Sequence, residues 1–116
     1  GQDGPLISPA LYRRYVKPCH RRIFQAIREN TKAKICVHTC GSVYAFLDDY
    51  VELGVDVINP VQTSARDMDP QRLKEKYGKA LSFQGAIDTQ RFLPRATPAE
   101  IEAYQRYLDS LRLPAQ

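Results

Sequence analysis

Hydrophobic residues recur at helical spacing in four segments of the chain, and three short β-type runs lie between them. The first helix is predicted to begin at Ser8-Pro9, because a hydroxyl group at the N-cap followed by proline favours a helix start. It extends to about residue 30, with a kink or restart at Pro18, since proline cannot donate the next helical hydrogen bond. The other main helices are predicted over residues 43–53, 69–78 and 97–111.

The predicted strands cover residues 34–38, 55–59 and 81–84, and Pro60 and Gly85 are expected to end the second and third. A further short helix is predicted over 89–93. Strands that alternate with helices indicate right-handed crossovers and a parallel sheet with the helices outside it. The fold class is therefore α/β, either a (β/α) barrel or a small doubly wound sheet. No glycine-rich phosphate loop follows a strand, which weakens a nucleotide-binding interpretation.

Composition supports a single globular domain over residues 1–116, with 43% apolar and 26% charged residues. No apolar run approaches the roughly 18–20 residues of a membrane span, so we expect a soluble, cytoplasmic protein that does not bind membranes. The net charge of +4 comes mostly from the first third of the chain. These basic residues fit a solvated helix face better than a nucleic-acid surface. Three cysteines without a framework spacing favour free thiols over a disulfide scaffold.

Polar side chains follow each of the three predicted strands. Because the carboxyl ends of parallel strands lie at one edge of a sheet, we expect these groups to converge there. The candidate site residues are His38, Cys40, Asn59, Gln62, Gln84 and Asp88. Asp88 has a second interpretation, as a carboxylate that caps a turn.

The segment His38-Thr39-Cys40-Gly41 is the sharpest of these features. Residues two apart in a strand point the same way about 6.6 Å apart, and side chains of His and Cys can reach the roughly 3.3–3.8 Å that separates two ligands of one zinc ion. Cys36 is about 13 Å from Cys40 along such a strand, so it is predicted to be a buried thiol instead. The alternative is that His38 bonds a backbone carbonyl and Cys40 is buried.

Five segments occur in an order that resembles the uroporphyrinogen decarboxylase family, which includes the cobalamin-dependent methyltransferases. They are Leu6-Ile7-Ser8-Pro9, the helix that contains Pro18, His38-Thr39-Cys40-Gly41-Ser42, the run of residues 53–62 (LGVDVINPVQ) and that of residues 83–88 (FQGAID). The resemblance implies a TIM (β/α)8 barrel with parallel strands and outer helices. This chain would supply about three βα units from its second, C-terminal half.

The His-x-Cys-Gly segment is similar to that of the methyltransferase-like branch. There the histidine and cysteine are zinc ligands and a cysteine further downstream is the third. The resemblance thus implies zinc held by His38 and Cys40, with the third ligand absent from this chain. It also implies methyl transfer between a corrinoid, as co-substrate on a separate protein, and a small thiol. Asn59, Gln62, Gln84 and Asp88 are candidates to line the substrate site, and no catalytic residue is assigned.

Two alternatives remain open at this point. The first is metal-independent decarboxylation of uroporphyrinogen in porphyrin biosynthesis, a lyase reaction for which Arg66 and Arg91 are the nearby candidates to bind carboxylates. The second is an inactive fragment in which His38 and Cys40 only pack. A partial barrel leaves sheet edges and an inner face uncovered, so we expect the fragment to self-associate and not to turn over substrate alone.

Overall fold

A computed structural model describes residues 1–111, which form one parallel sheet and the helices that alternate with its strands. The mixed α/β class predicted from the sequence is confirmed. Residues 112–116 of the predicted domain lie outside the described residues. The elements are α1 (Pro9–Leu11), a π-helical turn (Tyr12–Val16), α2 (Lys17–Asn30), β1 (Cys36–His38), a 3-10 turn (Tyr44–Phe46), α3 (Leu47–Glu52), β2 (Val57–Val61), α4 (Pro70–Tyr77), β3 (Ser82–Gly85) and α5 (Pro98–Ser110).

Three helices begin where the sequence predicts, each with a capping side chain followed by proline. The side chains of Ser8, Asp69 and Thr97 accept hydrogen bonds from the backbone N–H three residues further on. At the start of α5, Glu100 also accepts from the backbone N–H of Thr97 at 2.7 Å, which completes a capping box. These local bonds satisfy N–H groups that have no partner inside the helix.

The long first helix is irregular just before Pro18, close to the predicted kink. Within the π-helical turn the backbone N–H of Lys17 donates to the carbonyl of Tyr12, five residues earlier. Regular α-helix starts at Lys17, one residue before the predicted restart. Proline lacks the N–H that the Arg14 carbonyl would otherwise accept, so the change in helical spacing falls where a hydrogen bond is missing anyway.

The three strands pair in the order β1-β2-β3, and both pairs are parallel. Val37, Ile58 and Phe83 lie opposite one another in register, and His38 lies opposite Asn59. Within residues 1–111 the strands form an open sheet, and its place in a closed barrel stays a prediction. No helix in this described range is long and apolar enough to cross a membrane.

Strand β2 does not end at Pro60, contrary to the prediction. It continues to Val61 through a cis peptide bond between Asn59 and Pro60. The pairing with β3 shifts register between Ile58 and Val61, so the ladder is already interrupted where proline cannot donate. Because of this shift, Val61 lies on the same buried side as Ile58. Val61 is 2% exposed and Ile58 is 0% exposed.

Two predicted helices differ from the structure. The predicted helix over 43–53 divides into a 3-10 turn (Tyr44–Phe46) and α3 (Leu47–Glu52), and Gly54 follows it with φ of +77°. The short helix predicted over 89–93 is wrong, because these residues form consecutive turns. One oxygen of the Asp88 carboxylate accepts from the backbone N–H groups of Gln90 and Arg91, at 2.8 and 3.2 Å.

The sheet has one covered and one open face. Ile58 is fully buried at the centre of the covered face, and Val37 and Phe83 pack against the same core. The core continues into the helices through Leu47 and Leu73, both with 0% exposure. Cys36 alternates with these residues and lies on the open face, where its side chain is exposed. The prediction of a buried thiol is wrong because the described helices cover only the other face.

Candidate functional site

The open face carries a row of polar side chains that crosses all three strands at their carboxyl ends. His38 of β1 contacts Asn59 of β2, with 2.7 Å between Nδ1 and Oδ1. The Nδ2 group of Asn59 donates to Oε1 of Gln84 on β3 at 3.0 Å. We call this row the amide ladder (His38, Asn59 and Gln84). Three of the predicted polar residues thus lie together, because His38 pairs with Asn59 and Gln84 directly follows Phe83, the partner of Ile58.

The direction of the hydrogen bonds determines where the imidazole proton lies. An amide oxygen only accepts, so the nitrogen of His38 that contacts Asn59 must donate. With the amide oxygen toward the ring, the neutral imidazole would carry its proton on Nδ1, which leaves a free lone pair on Nε2. This lone pair lies on the edge of the ring away from Asn59.

Cys40 lies beside that second nitrogen. Its Sγ atom is 3.8 Å from Nε2 of His38, and both side chains are exposed at the sheet edge. All three cysteines of the chain are free thiols. The contact requires a strand that remains extended through His38 and then turns, as the sequence predicted. The alternatives in which Cys40 is buried and His38 bonds a backbone carbonyl are not what the structure has.

A tight bend at Gly41 brings Cys40 back toward the histidine. Gly41 has φ of +84°, a conformation that side chains rarely adopt, and an added Cβ would lie 2.6 Å from the carbonyl oxygen of Gly1. Its N–H donates to Oε1 of Gln62 at 2.5 Å, and the N–H of Ser42 donates to the same Gly1 carbonyl at 2.9 Å. Gln62, a predicted substrate-lining residue, therefore supports the bend.

The remaining predicted site residues are placed apart from the amide ladder. Asp88 lies after β3, but its carboxylate caps its own turn, which was the second interpretation of this residue. Arg66 and Arg91, the candidate carboxylate ligands, are both exposed. The backbone N–H of Arg66 donates to the carbonyl of Gln2 at 2.9 Å, so its loop is fixed by the N-terminal segment.

A cleft of about 230 Å³ opens next to Cys40, between the end of β1 and the helical segment before α2. Its walls are mainly aromatic and aliphatic, and none of its side chains is a lysine, arginine, aspartate or glutamate. The lining residues are Gly1, Pro5, Leu6, Ile7, Tyr12, Val16, His20, Thr39, Cys40, Ser42, Val43, Phe46 and Tyr50. The cleft therefore suits an uncharged, largely apolar group.

Tyr12, His20 and Tyr50 are site residues that the sequence did not single out. The hydroxyl of Tyr12 is 3.1 Å from Nδ1 of His20, and the imidazole stacks on Phe24. Burial lowers the pKa of His20, so this ring is neutral over a wider pH range than a free histidine. Burial, with a smaller contribution from the Asp49 charge, raises the pKa of Tyr50. The helical spacing of Tyr12, Val16 and His20 was the available signal, since it places all three on one side.

The imidazole of His38 and the thiol of Cys40 fit a zinc ion in chemistry and in spacing. A neutral imidazole and a thiolate are both ordinary zinc ligands, with bonds of about 2.0 and 2.3 Å. Two such ligands in a tetrahedron lie about 3.6 Å apart, close to the 3.8 Å between Nε2 and Sγ. Within residues 1–111 no three side chains of His, Cys, Asp and Glu are grouped so that they could hold a metal ion. His38 and Cys40 therefore provide two ligands, and no third side chain of these four types within residues 1–111 joins them.

In parallel α/β proteins, ligands bind at the carboxyl ends of the strands, which is the edge where the polar groups of this sheet are gathered. The chain matches the family model described as uroporphyrinogen decarboxylase (URO-D) over residues 3–111. The chain belongs to the uroporphyrinogen decarboxylase family. No curated protein and no solved structure matches it.

Proposed function

We propose that this chain carries part of the metal site of a zinc-dependent methyltransferase within the uroporphyrinogen decarboxylase family. The reaction is transfer of a methyl group between a corrinoid, carried by a separate protein, and a small thiol. The observation that carries the proposal is the 3.8 Å contact between Nε2 of His38 and Sγ of Cys40 on an open sheet face. In this proposal the chain is one part of a TIM barrel that provides the third ligand.

His38 and Cys40 are suited to their role before any ion is bound. The Asn59 oxygen keeps the imidazole proton on Nδ1, so the lone pair of Nε2 is available. The thiol of Cys40 lies within reach of that lone pair and loses its proton when an ion replaces it. Zinc bound there would ionise a coordinated substrate thiol at neutral pH.

The cleft beside Cys40 is the proposed site for the substituent of the thiol. Tyr12, Phe46 and Tyr50 provide apolar contact area. Apart from Cys40, which would bind the ion, no side chain of the lining carries a formal charge at neutral pH once His20 is neutral. A thiol with a short uncharged substituent fits this lining better than one with a carboxylate. Gln62 contributes by holding the bend at Gly41 and thus the position of Cys40.

Metal binding provides the first test, with Cys36 as the matched control. Cys36 lies on the same open face as Cys40 and is also an exposed free thiol. We expect the chain to bind Co²⁺ with the near-ultraviolet absorption of a thiolate ligand. His38→Ala and Cys40→Ala should abolish this absorption, whereas Cys36→Ala should retain it. Metal binding that survives both substitutions at His38 and Cys40 would contradict the proposal.

The reaction itself requires a protein that contains the complete barrel. With methylcobalamin and a panel of small thiols, we expect loss of the methyl–cobalt absorption and formation of the thioether. Both signals should disappear in His38→Ala and Cys40→Ala and should be retained in Cys36→Ala.

We also expect the present chain to self-associate, because its sheet edges are uncovered. Sedimentation equilibrium measures this.

The family name also suggests decarboxylation of uroporphyrinogen, and the same preparation distinguishes the two reactions. A site for this substrate needs cations opposite several carboxylates. The strand ends described above carry two neutral amides, an imidazole and a thiol instead, which favours methyl transfer. Metal-independent formation of coproporphyrinogen by a protein with the complete barrel would decide for decarboxylation.

A further inference from the structure

The amide ladder fixes the orientation of His38 through two side chains that do not themselves contact Cys40. We propose that Asn59, supported by Gln84, is a positioning residue that holds His38 with its proton on Nδ1 and so keeps Nε2 available to a ligand. This inference deepens the proposed function, and it also makes a claim about the chain without metal.

The first step of the argument is the directional nature of an amide. Asn59 has one end that accepts and one that donates. With Oδ1 toward the ring, as in the structure, the proton is on Nδ1. With Nδ2 toward the ring, Nδ1 would have to accept and the proton would move to Nε2. That tautomer would direct an N–H group at Cys40 and remove the lone pair that binds an ion.

The second step is that Gln84 couples its own amide orientation to that of Asn59. Its Oε1 accepts from Nδ2 of Asn59 at 3.0 Å. With Gln84 in this orientation, rotation of Asn59 alone would set two amide oxygens against each other and lose one hydrogen bond. The orientation of Gln84 on β3 is therefore linked through Asn59 on β2 to the ring on β1.

The third step is the backbone that carries Asn59. Its carbonyl accepts from the N–H of Thr39 at 2.7 Å, which joins the strand end of β2 to the segment between His38 and Cys40. The same residue thus fixes the imidazole through its side chain and the loop of the thiol through its main chain. The ladder lies on the open face, so its value to the protein is not burial of apolar surface.

The experiment is a measurement of the ring-nitrogen shifts of His38 in the metal-free chain by long-range ¹H–¹⁵N correlation. The chain has only two histidines, and the signals that disappear in His38→Gln belong to His38. For the neutral ring in the native chain we expect a protonated Nδ1 and an unprotonated Nε2. A proton on Nε2 in the native chain would overturn the proposal.

Substitutions then separate positioning from a merely structural role. Asn59→Leu should yield a mixture of both tautomers and weaken Co²⁺ binding about 10–100-fold. Asn59→Asp keeps an acceptor and should restore both the single tautomer and the affinity. Gln84→Leu should have a smaller effect in the same direction, and Gln71→Leu, an exposed amide on α4, should have none. An Asn59→Leu chain that folds and keeps the native tautomer would also overturn the proposal.

The two proposals fail in different ways. If the native chain has the Nδ1 proton and loses this preference in Asn59→Leu, the positioning role holds even when no metal binds, and only the zinc function is lost. If Asn59→Leu does not fold, the comparison of the native chain with Asn59→Asp still tests the acceptor, because both must then have the same tautomer.

Discussion

The two faces of the sheet are built from alternating residues of the same three strands, yet their central rows differ in polarity. On the covered face, Ile58 is fully buried between Val37 and Phe83, and this row continues into the helix layer. One position further along two of the strands, His38 and Asn59 are joined by a hydrogen bond between side chains. Neighbouring positions of a strand face opposite sides, so a shift of one residue separates the two rows.

The difference predicts that substitutions on the two faces affect stability unequally. Burial of apolar surface is the dominant favourable term in folding, about 25 cal/mol per Å², and it lies on the covered face. Exposed hydrogen bonds between side chains contribute little to folding. Substitutions on the open face should therefore leave the fold intact.

The largest expected effect is on the covered face. Ile58→Ala removes a fully buried side chain from the central strand and should cost about 2–5 kcal/mol of unfolding free energy. Cys36→Ala, on the open face and exposed, should change it by less than about 0.5 kcal/mol. Urea denaturation followed by circular dichroism measures both. If Ile58→Ala is too unstable to study, Ile58→Val should cost about 0.5–1.5 kcal/mol, and equal losses on the two faces would refute the division.

A second effect concerns Asp49, the one buried acidic residue among residues 1–111, which lies in the helix layer. Asp49 is 5% exposed and bonds Arg13 and Lys17 at 3.1 and 2.8 Å. Burial alone raises the pKa of Asp49, but hydrogen bonds from the two cations outweigh it and hold the pKa below the ordinary 3.8. The stabilisation is therefore complete above the ordinary pKa and is lost as the pH falls through the lower, folded-state value.

Asp49→Asn should accordingly cost about 1.5–3 kcal/mol at neutral pH. Its unfolding free energy should also fall less than that of the native chain when the pH is lowered below about 4. Glu102→Gln removes the exposed, 4.0 Å pair with Arg106 and is expected to cost less than about 0.5 kcal/mol. Parallel acid-denaturation curves for the native chain and Asp49→Asn would contradict this account.

The last comparison concerns two glycines with positive φ, whose substitution should cost less stability than that of Ile58 or Asp49. Gly54→Ala and Gly41→Ala should each cost about 1–2 kcal/mol through the left-handed backbone. At Gly54 a new Cβ would meet the flexible side chain of Arg28 at 3.1 Å, whereas at Gly41 it would meet a backbone oxygen at 2.6 Å. Gly41→Ala should therefore also displace Cys40 and abolish the thiolate–Co²⁺ absorption, which Gly54→Ala should retain. Unchanged absorption in Gly41→Ala would show that the bend is not needed.

Much of the local structure could be predicted because the responsible atoms are neighbours in sequence. Hydroxyl and carboxylate caps followed by proline located the starts of three helices, and Gly54 marked the end of α3. The contact of His38 with Cys40 followed from the two-residue repeat of a strand and a glycine bend. The zinc role of the pair stays a prediction.

Other features depended on partners distant in sequence. Pro60 is a strand terminator by its own chemistry, but pairing with β3 is already interrupted there, so β2 continues. Cys36 is a residue type usually buried, yet it is exposed because the described helices cover only one face. The bonds of Asn59 to both His38 and Gln84 link residues 21 and 25 positions apart, a distance over which composition carries no signal.

The amino-acid sequence by itself determined the alternation of strands and helices, the helix caps and the order of polar residues at strand ends, since each depends on periodicity and local bonding. Tertiary structure alone decided which face is covered, how β2 passes Pro60 and how three side chains form one directed row of hydrogen bonds. The physical reason is that register between strands is a relation among distant residues, and a shift of one position would place every side chain on the opposite face.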